Sequence, residues 1–285
     1  MLTAREALTR AAGQLAAHPD LRAHAVADAA LLLMHTLRIE RASLMAHPER
    51  RMTREEQQDY QRILERRLCF EPMQYILGEQ EFYGLKLRVS PQVLIPRPET
   101  EQLVEAVLAR VPHDRVIRVA DIGTGSGAIA IALAHLLPLA QIIATDVSED
   151  ALAVAEENAS AHRLSARVVF QCGDLFEAIE PALLFDAIVS NPPYVADDDR
   201  ATMHPQVRDH EPSAALFSGP TGFEVYERLI PQALARLVPG GLLALEIGFG
   251  QDAAICPLLH DFVDVELLAD LQGIPRVALA KRPSP

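Results

Sequence analysis

From Val116 onward, strand-like and helix-like stretches alternate, and no other feature of this 285-residue chain restricts its fold so strongly. Short apolar runs separated by helical segments pair in parallel, with the connecting helices packed on both faces of one sheet. The pattern predicts strands at Val116–Ile122, Gln141–Asp146, Arg167–Gln171, Phe185–Ser190 and Leu242–Ile247, with two more near Val263–Leu268 and Val277–Ala280. Helices are predicted at Ser126–Leu136, from Ser148 to Ala161, at Gly222–Leu237 despite Pro231, and near Ala253–Leu259. Pro239-Gly240-Gly241 reads as a turn, and Val195–Thr221 as a long polar loop of the kind that usually carries function. The expected fold is α/β, a doubly wound and mostly parallel sheet of seven strands.

Asp121-Ile122-Gly123-Thr124-Gly125-Ser126-Gly127 joins the first strand to its helix. Glycines permit a tight turn and let a ligand approach the backbone, and the helix start beyond them offers unpaired N–H groups. Asp146 ends the second strand 23 residues after Gly123, where a carboxylate can accept both ribose hydroxyls of a nucleoside. Gly123, Gly125 and Ala128 also satisfy the dinucleotide pattern G-x-G-x-x-A, so the glycines alone leave a dinucleotide and S-adenosylmethionine open. Two features favour the second. Asp121 puts an acid near the site, which repels a pyrophosphate and attracts an ammonium. Asn191-Pro192-Pro193-Tyr194 follows the fourth strand, at the carboxyl edge where open α/β sheets bind ligands. Two prolines end the strand and stiffen the backbone, so the Asn amide and the Tyr ring are held in fixed directions and can grip a planar amide or amino group. The plainer reading of these four residues is a strand-ending turn with a capping Asn.

Residues 1–77 carry helical signals only. Leu2, Leu8, Ala12 and Leu15 suggest one amphipathic helix. Asp20 can N-cap a second that carries Val26, Ala29, Ala30, Leu33 and Leu37. Thr53-Arg54-Glu55-Glu56 is a capping box opening a helix to about Leu68, with Tyr60, Ile63, Leu64 and Leu68 on one face. Arg62, Arg66 and Arg67 read as a solvated surface, with a partner-docking face as the alternative. Met34, Met45, Met52 and Met73 read as core filler. Residues 80–95 change character and predict a β-hairpin linking two domains. After it, Pro98 suits the first turn of a helix running to about Arg110. That helix accounts for Glu99 and Glu101 but leaves Arg97 without a role.

Charge separates the two halves. Residues 1–80 hold 11 Lys+Arg and 11 Asp+Glu, so the entire net charge of −13 falls in residues 81–285. An acidic domain repels phosphate backbones, which disfavours nucleic acid as the direct substrate and suits a protein partner. Cys69, Cys172 and Cys256 are far apart and outside any metal-ligand spacing, so free buried thiols in a reducing compartment are expected. The ten histidines include no zinc-binding pair beside a Glu, and no metal site is expected. No charge-free apolar run approaches the ~20 residues of a membrane span, and no signal peptide is expected.

These residues together resemble a known family. Asp121–Gly127 with Asp146 is similar to the class I S-adenosylmethionine-dependent methyltransferases, and Asn191–Tyr194 to the branch that methylates amino and amide nitrogens. The closer resemblance is to the HemK/PrmC family, the peptide chain release factor N5-glutamine methyltransferases. It rests on Gln74–Gly78 with Glu81–Gly84, on Ile95-Pro96-Arg97-Pro98-Glu99-Thr100-Glu101, on Glu211-Pro212 with Ala215-Leu216, and on the region of Gly222. The Pro-Arg-Pro-Glu-Thr-Glu stretch discriminates best, because the related ribosomal-protein methyltransferases differ there.

The resemblance implies methyl transfer from S-adenosylmethionine to the glutamine amide of the Gly-Gly-Gln motif in class I release factors, by a monomeric cytoplasmic enzyme that contacts no nucleic acid or membrane. It implies a helical substrate-docking domain at 1–78, a hairpin linker at 79–96 and a methyltransferase domain at 97–285. It assigns Gly123, Thr124, Gly125, Ser126, Gly127, Asp146, Asp174, Leu175 and Asn191 to the cofactor, and Asn191, Pro192, Pro193 and Tyr194 to the substrate amide. Asn191, Pro192 and Tyr194 are the catalytic residues in this assignment. Family members often carry an aromatic residue where Leu175 stands, and Phe176 is the alternative contact with the adenine. The competing readings are a nucleic-acid adenine N6-methyltransferase, a non-catalytic cofactor-binding module and, weakest, a nicotinamide dehydrogenase.

Overall fold

The structure, a computed structural model, describes residues 2–284 and divides into two compact units. One comprises the chain up to Gly78 together with Pro205–His210; the other holds the remainder.

The first unit contains α1 (Ala4–Ala16), α2 (Ala25–Leu37), α3 (Arg41–Ala46), α4 (Arg54–Leu68) and α5 (Met73–Leu77). Capping boxes at Thr3/Glu6 and Thr53/Glu56 open α1 and α4, the second as the sequence predicts. The buried stripe of α1 is Ala4, Ala7, Ala11 and Leu15, rotated from the expected one, because small alanines let this helix approach its neighbours closely. Asp20 does not cap α2; a 3-10 turn at Arg22–His24 precedes it, and Val26 is exposed. Met45 is exposed as well, while Met52 and Met73 are buried as expected. Arg67 is not solvated. Its Nε donates to Asp28 Oδ2 at 2.7 Å, both side chains are buried, and its Nη1 donates to Gln206 Oε1 at 2.8 Å. A buried guanidinium requires such a partner. Arg66 is paired with Glu71.

The second unit opens with the hairpin β1 (Glu79–Phe82) and β2 (Leu85–Arg88). Val93-Leu94-Ile95 continues as irregular chain instead of a strand, although Val93 and Ile95 are buried. A 3-10 turn at Pro98–Thr100 leads into α6 (Glu101–Leu108). Then come β3 (Ile117–Ile122), α7 (Ala128–Leu136), β4 (Ala140–Asp146), α8 (Glu149–Ala161), β5 (Val168–Cys172) and β6 (Phe185–Ser190). Ser148 caps α8 through a hydrogen bond from Ala151 N. The 195–221 stretch is more ordered than expected. It holds β7 (Val195–Ala196), a 3-10 turn, α9 (Pro205–Arg208), which belongs to the first unit, α10 (Ser213–Leu216) and β8 (Phe217–Gly219), with β7 and β8 paired in parallel. The chain ends with α11 (Glu224–Arg236), which runs through Pro231, then β9 (Leu237–Glu246), α12 (Asp252–Leu258), β10 (Val263–Ala269) and β11 (Pro275–Lys281). β9 starts earlier than expected because Pro239-Gly240-Gly241 is an irregularity inside the ladder rather than a turn before it.

The sheet has seven strands in the order β10-β11-β9-β6-β3-β4-β5, and only β11 runs antiparallel to its neighbours. Alternate residues feed two cores. Val119 and Val189 face the core of α6 and α7, while Ala120 and Ile188 face that of α11 and α12. Residues 128–134 of α7 are all buried, so this helix is apolar on every side. The cysteines are free, but Cys69, Cys172 and Cys256 are all exposed, against the expectation of burial. Cys69 follows α4 and Cys172 ends β5, while Cys256 lies within α12 on its exposed side.

Candidate active site

The chain goes from β3 out to β4 on one side, and β6 lies on the other, so the sheet has its topological switch point at β3. Ligands bind outside the carboxyl ends of the strands at such a point. A cavity of about 450 Å³ lies there, lined by the loops that leave β3, β4, β5 and β6.

Gly123, Gly125 and Gly127 have φ of 73°, 56° and 81°. These left-handed values turn the chain sharply after β3, and Gly123 N and Thr124 N donate to Thr145 O at 2.9 Å. A Cβ on Gly123 or Gly125 would meet no protein atom, so both lie against the open space of the cavity they line. Gly127 does not line it. It packs against α7 and α8, where a Cβ would sit 3.0 Å from Ile131 Cδ1 and 3.1 Å from Ala155 Cβ.

Asp121 is fully buried behind the loop and does not line the cavity, contrary to its expected place beside a ligand ammonium. Its Oδ2 accepts from Thr124 Oγ1 at 2.6 Å and Ala130 N at 3.1 Å, and among the described residues Oδ1 has no partner. Burial pushes this carboxyl up to about 7. Its visible role is to hold the glycine loop to the start of α7. Asp146 does line the cavity. Gly125 N and Ser148 N donate to its two oxygens at 2.9 and 3.0 Å. Burial raises its pKa and the backbone donors oppose that rise. Each oxygen keeps accepting capacity for a further donor.

After β5, Asp174 and Leu175 line the cavity and Phe176 does not; Phe176 belongs to the core beside Ile179 and Phe185. Leu175 is held at φ 52°, unusual for a non-glycine, while its carbonyl accepts from Thr145 Oγ1 at 2.8 Å. Asp174 is paired with Arg228 from α11, a cavity residue the sequence did not single out. Arg97, left unexplained by the sequence, pairs at 2.6 Å with Glu211, whose carboxylate is wholly buried and also accepts from Ile95 N.

At the end of β6, Asn191, Pro192 and Pro193 line the cavity and Tyr194 does not. The ring of Tyr194 packs on the α11 core, and its hydroxyl donates to Glu246 Oε1 at 3.4 Å. Gln251 Nε2 donates to the Tyr194 carbonyl at 3.0 Å and holds the segment from behind. Asn191 Nδ2 donates to Thr100 Oγ1 at 3.1 Å. Glu246, almost wholly buried at the end of β9, has its carboxyl pushed up to about 7 by burial, against the pull of the Thr100 and Tyr194 hydroxyls and Arg276. Thr100 and Glu246 carry no motif signal as individual residues. Thr100 sits within the Pro-Arg-Pro-Glu-Thr-Glu stretch, but Glu246 reads as the end of an apolar strand.

The structure thus brings Gly123, Thr124, Gly125, Ser126, Asp146, Asp174, Leu175, Asn191, Pro192 and Pro193 to one cavity and leaves Gly127 and Tyr194 as supports. Among the described residues no His/Cys/Asp/Glu cluster could hold a metal ion, and no helix is long and apolar enough to cross a membrane.

The glycine loop at the switch point of this sheet, with Asp146 and Asn191-Pro192-Pro193 at the same cavity, defines the fold and site of a class I methyltransferase. The solved structure of a methyltransferase from Pyrococcus furiosus shares the fold, with a TM-score of 0.51 at 18% identity over 70% of this chain and 90% of that one. Residues 6–78 match the PrmC N-terminal domain and residues 99–208 the methyltransferase small domain. The chain is 46% identical to the release factor glutamine methyltransferase of Koribacter versatilis over 90% of its own length and 91% of the relative's. It is 41% identical to that of Moorella thermoacetica over 99% of each. The chain belongs to the release factor glutamine methyltransferase family.

Proposed function

We propose that this enzyme transfers a methyl group from S-adenosylmethionine to the side-chain amide nitrogen (N5) of the glutamine in the Gly-Gly-Gln motif of class I peptide chain release factors. The observation that carries the proposal is the meeting of the glycine loop, Asp146 and Asn191 at one cavity in a chain of this family. The residues fit the cofactor. Gly123 and Gly125 leave open space above their backbone, and Asp146 presents a carboxylate with spare acceptor sites for ribose hydroxyls. When bound, S-adenosylmethionine supplies an already activated methyl group on its sulfonium.

The protein's own task is to present a weak nucleophile. An amide nitrogen delocalises its lone pair into the carbonyl. Asn191 Oδ1 and the Pro192 carbonyl accept the two N–H bonds of the substrate amide, which fixes the nitrogen in line with the methyl carbon and favours positive charge on it as the bond forms. Pro192 and Pro193 hold that geometry through their fixed φ. Tyr194 supports them from behind, in place of the expected stacking on the substrate. The amide proton leaves after transfer. Asp174 and Leu175 flank the adenine in this reading, and Phe176 does not. The helical unit, with Val26 and Met45 exposed, is the docking surface for the release factor. The enzyme acts as a cytoplasmic monomer on a protein and not on nucleic acid.

The test is methyl transfer from radiolabelled S-adenosylmethionine to purified release factor, to the same factor with the Gly-Gly-Gln glutamine changed to alanine, and to duplex DNA. Label on the first alone is the expected result. Label on the glutamine-free factor or on DNA would overturn the assignment of the target.

A further inference from the structure

We propose that Thr100 and Glu246 are positioning residues that lock the Asn191 side-chain amide in one of its two orientations, with Nδ2 turned to the protein and Oδ1 left for the substrate. The inference rests on the reading that Asn191 Oδ1 accepts a substrate N–H.

An Asn side chain carries a donor end and an acceptor end of nearly the same shape, so a cavity that needs only the acceptor must hold the donor elsewhere. Here Asn191 Nδ2 donates to Thr100 Oγ1 at 3.1 Å, and among the described residues none donates to Oδ1. Thr100 is itself buried, with 4% of its surface exposed, and lies at the cavity wall. A hydroxyl has one proton and can either accept from Nδ2 or donate to Oδ1. What decides is the other neighbour of Thr100. Glu246 is 3% exposed and interacts with the Thr100 and Tyr194 hydroxyls, the latter at 3.4 Å from Oε1, while among the described residues its Oε2 has no hydrogen-bond partner. In its ionised form, which burial confines to pH above about 7, this carboxylate is short of donors and attracts the Thr100 proton, since bonds to a charged acceptor are the stronger ones. Thr100 Oγ1 then faces Asn191 as an acceptor. A flipped Asn191 would set Oδ1 against a lone pair and leave Nδ2 in the cavity, where it would repel the incoming amide N–H.

This three-residue chain links the Pro98–Thr100 turn, the end of β6 and the end of β9. Tyr194 closes it from the far side, so the Asn-Pro-Pro-Tyr segment is gripped at both its first and last residues by the same carboxylate system. Neither Thr100 nor Glu246 needs to touch the reacting atoms.

The test measures kcat on release factor, the cofactor dissociation constant by calorimetry, and the melting midpoint, for Thr100→Val, Glu246→Gln, their double variant, Thr100→Ser and Asn191→Ala. The expected result is a fall in kcat of about tenfold to hundredfold for Thr100→Val and for Glu246→Gln, the cost of a misplaced hydrogen bond. The double variant should fall no further than the worse single one, because the two act as a unit. Cofactor affinity should stay within about threefold of wild type, well below the tenfold that one lost hydrogen bond would cost. Thr100→Ser keeps the hydroxyl and should recover the larger part of kcat. Wild-type kcat in Thr100→Val, or an equal loss in Thr100→Ser, would overturn the inference while leaving the role of Asn191 intact. Wild-type kcat in Asn191→Ala would overturn the underlying reading and this inference with it. Should Glu246→Gln fail to fold, the Thr100→Val and Thr100→Ser pair decides alone.

Discussion

The glycine-loop end of the cavity is built largely from backbone, whereas the Asn191 end is built from side chains that arrive from three distant parts of the chain. At the first end, left-handed glycines, main-chain N–H groups and two carboxylates, Asp121 behind the loop and Asp146 at the cavity, do the shaping within 26 residues of sequence. At the second, Thr100, Asn191 and Glu246 meet across separations of 91 and 55 residues. A backbone site tolerates many neighbours but not a Cβ in the wrong place. A side-chain network tolerates small shifts of backbone but not the loss of a donor or acceptor. The two ends should therefore fail in different ways.

The largest failure is expected at Asn191. Asn191→Ala should lower kcat by about 10²–10³-fold, as removal of a transition-state hydrogen-bonding group does elsewhere, while the protein still binds cofactor. Steady-state transfer assays with calorimetry on the same sample check it, and parallel loss of both would dissolve the distinction between the two ends. Next comes Gly127→Val. With φ at 81° and Ile131 and Ala155 at the Cβ position, this change should cost about 1–3 kcal/mol in stability and weaken cofactor binding with it, read from urea unfolding and calorimetry. Asp146→Ala should raise the cofactor dissociation constant by about tenfold or more, corresponding to one charge-assisted hydrogen bond, with little change in kcat once cofactor is saturating.

The last effect is a slope with pH and not the loss of a contact. Asp121 and Glu246 are raised from ordinary carboxyl values to about 7 by burial. Between their unfolded and folded values the native chain holds protons that the unfolded chain has released, so each group's contribution falls as pH rises, by up to about 1.4 kcal/mol per pH unit. Urea midpoints measured from about pH 5 to pH 7 should decline, and Asp121→Asn should flatten that decline by removing one of the two groups. An unchanged slope would show that Asp121 is ionised throughout.

The same contrast explains what the sequence made legible. The seven strands and their helices could be read because each is a local period bounded by a turn, and Asp121–Gly127 with Asp146 could be read because a tight loop and the next strand end lie close in sequence. Asn191–Tyr194 stood out because two prolines after an apolar run are conspicuous. The network behind Asn191 was not legible, since nothing local marks Glu246 as more than the last residue of a strand. Arg67 misled for the same reason: at helical spacing it belongs to a polar face, and it is Asp28, 39 residues away, and Gln206 that take it inside. Tyr194 misled differently. Its motif promised a ring for the substrate, but the buried Glu246 carboxyl takes its hydroxyl on the side away from the cavity.

The division between the two ends is tested most directly by single-turnover methyl transfer to release factor at saturating S-adenosylmethionine, run side by side on Asn191→Ala and Asp146→Ala with cofactor affinity measured on each. The account predicts a crossed result: Asn191→Ala slow but tightly bound, Asp146→Ala weakly bound but close to wild-type rate once saturated. If both variants lose rate and affinity together, the cavity works as one undivided site and the account is wrong.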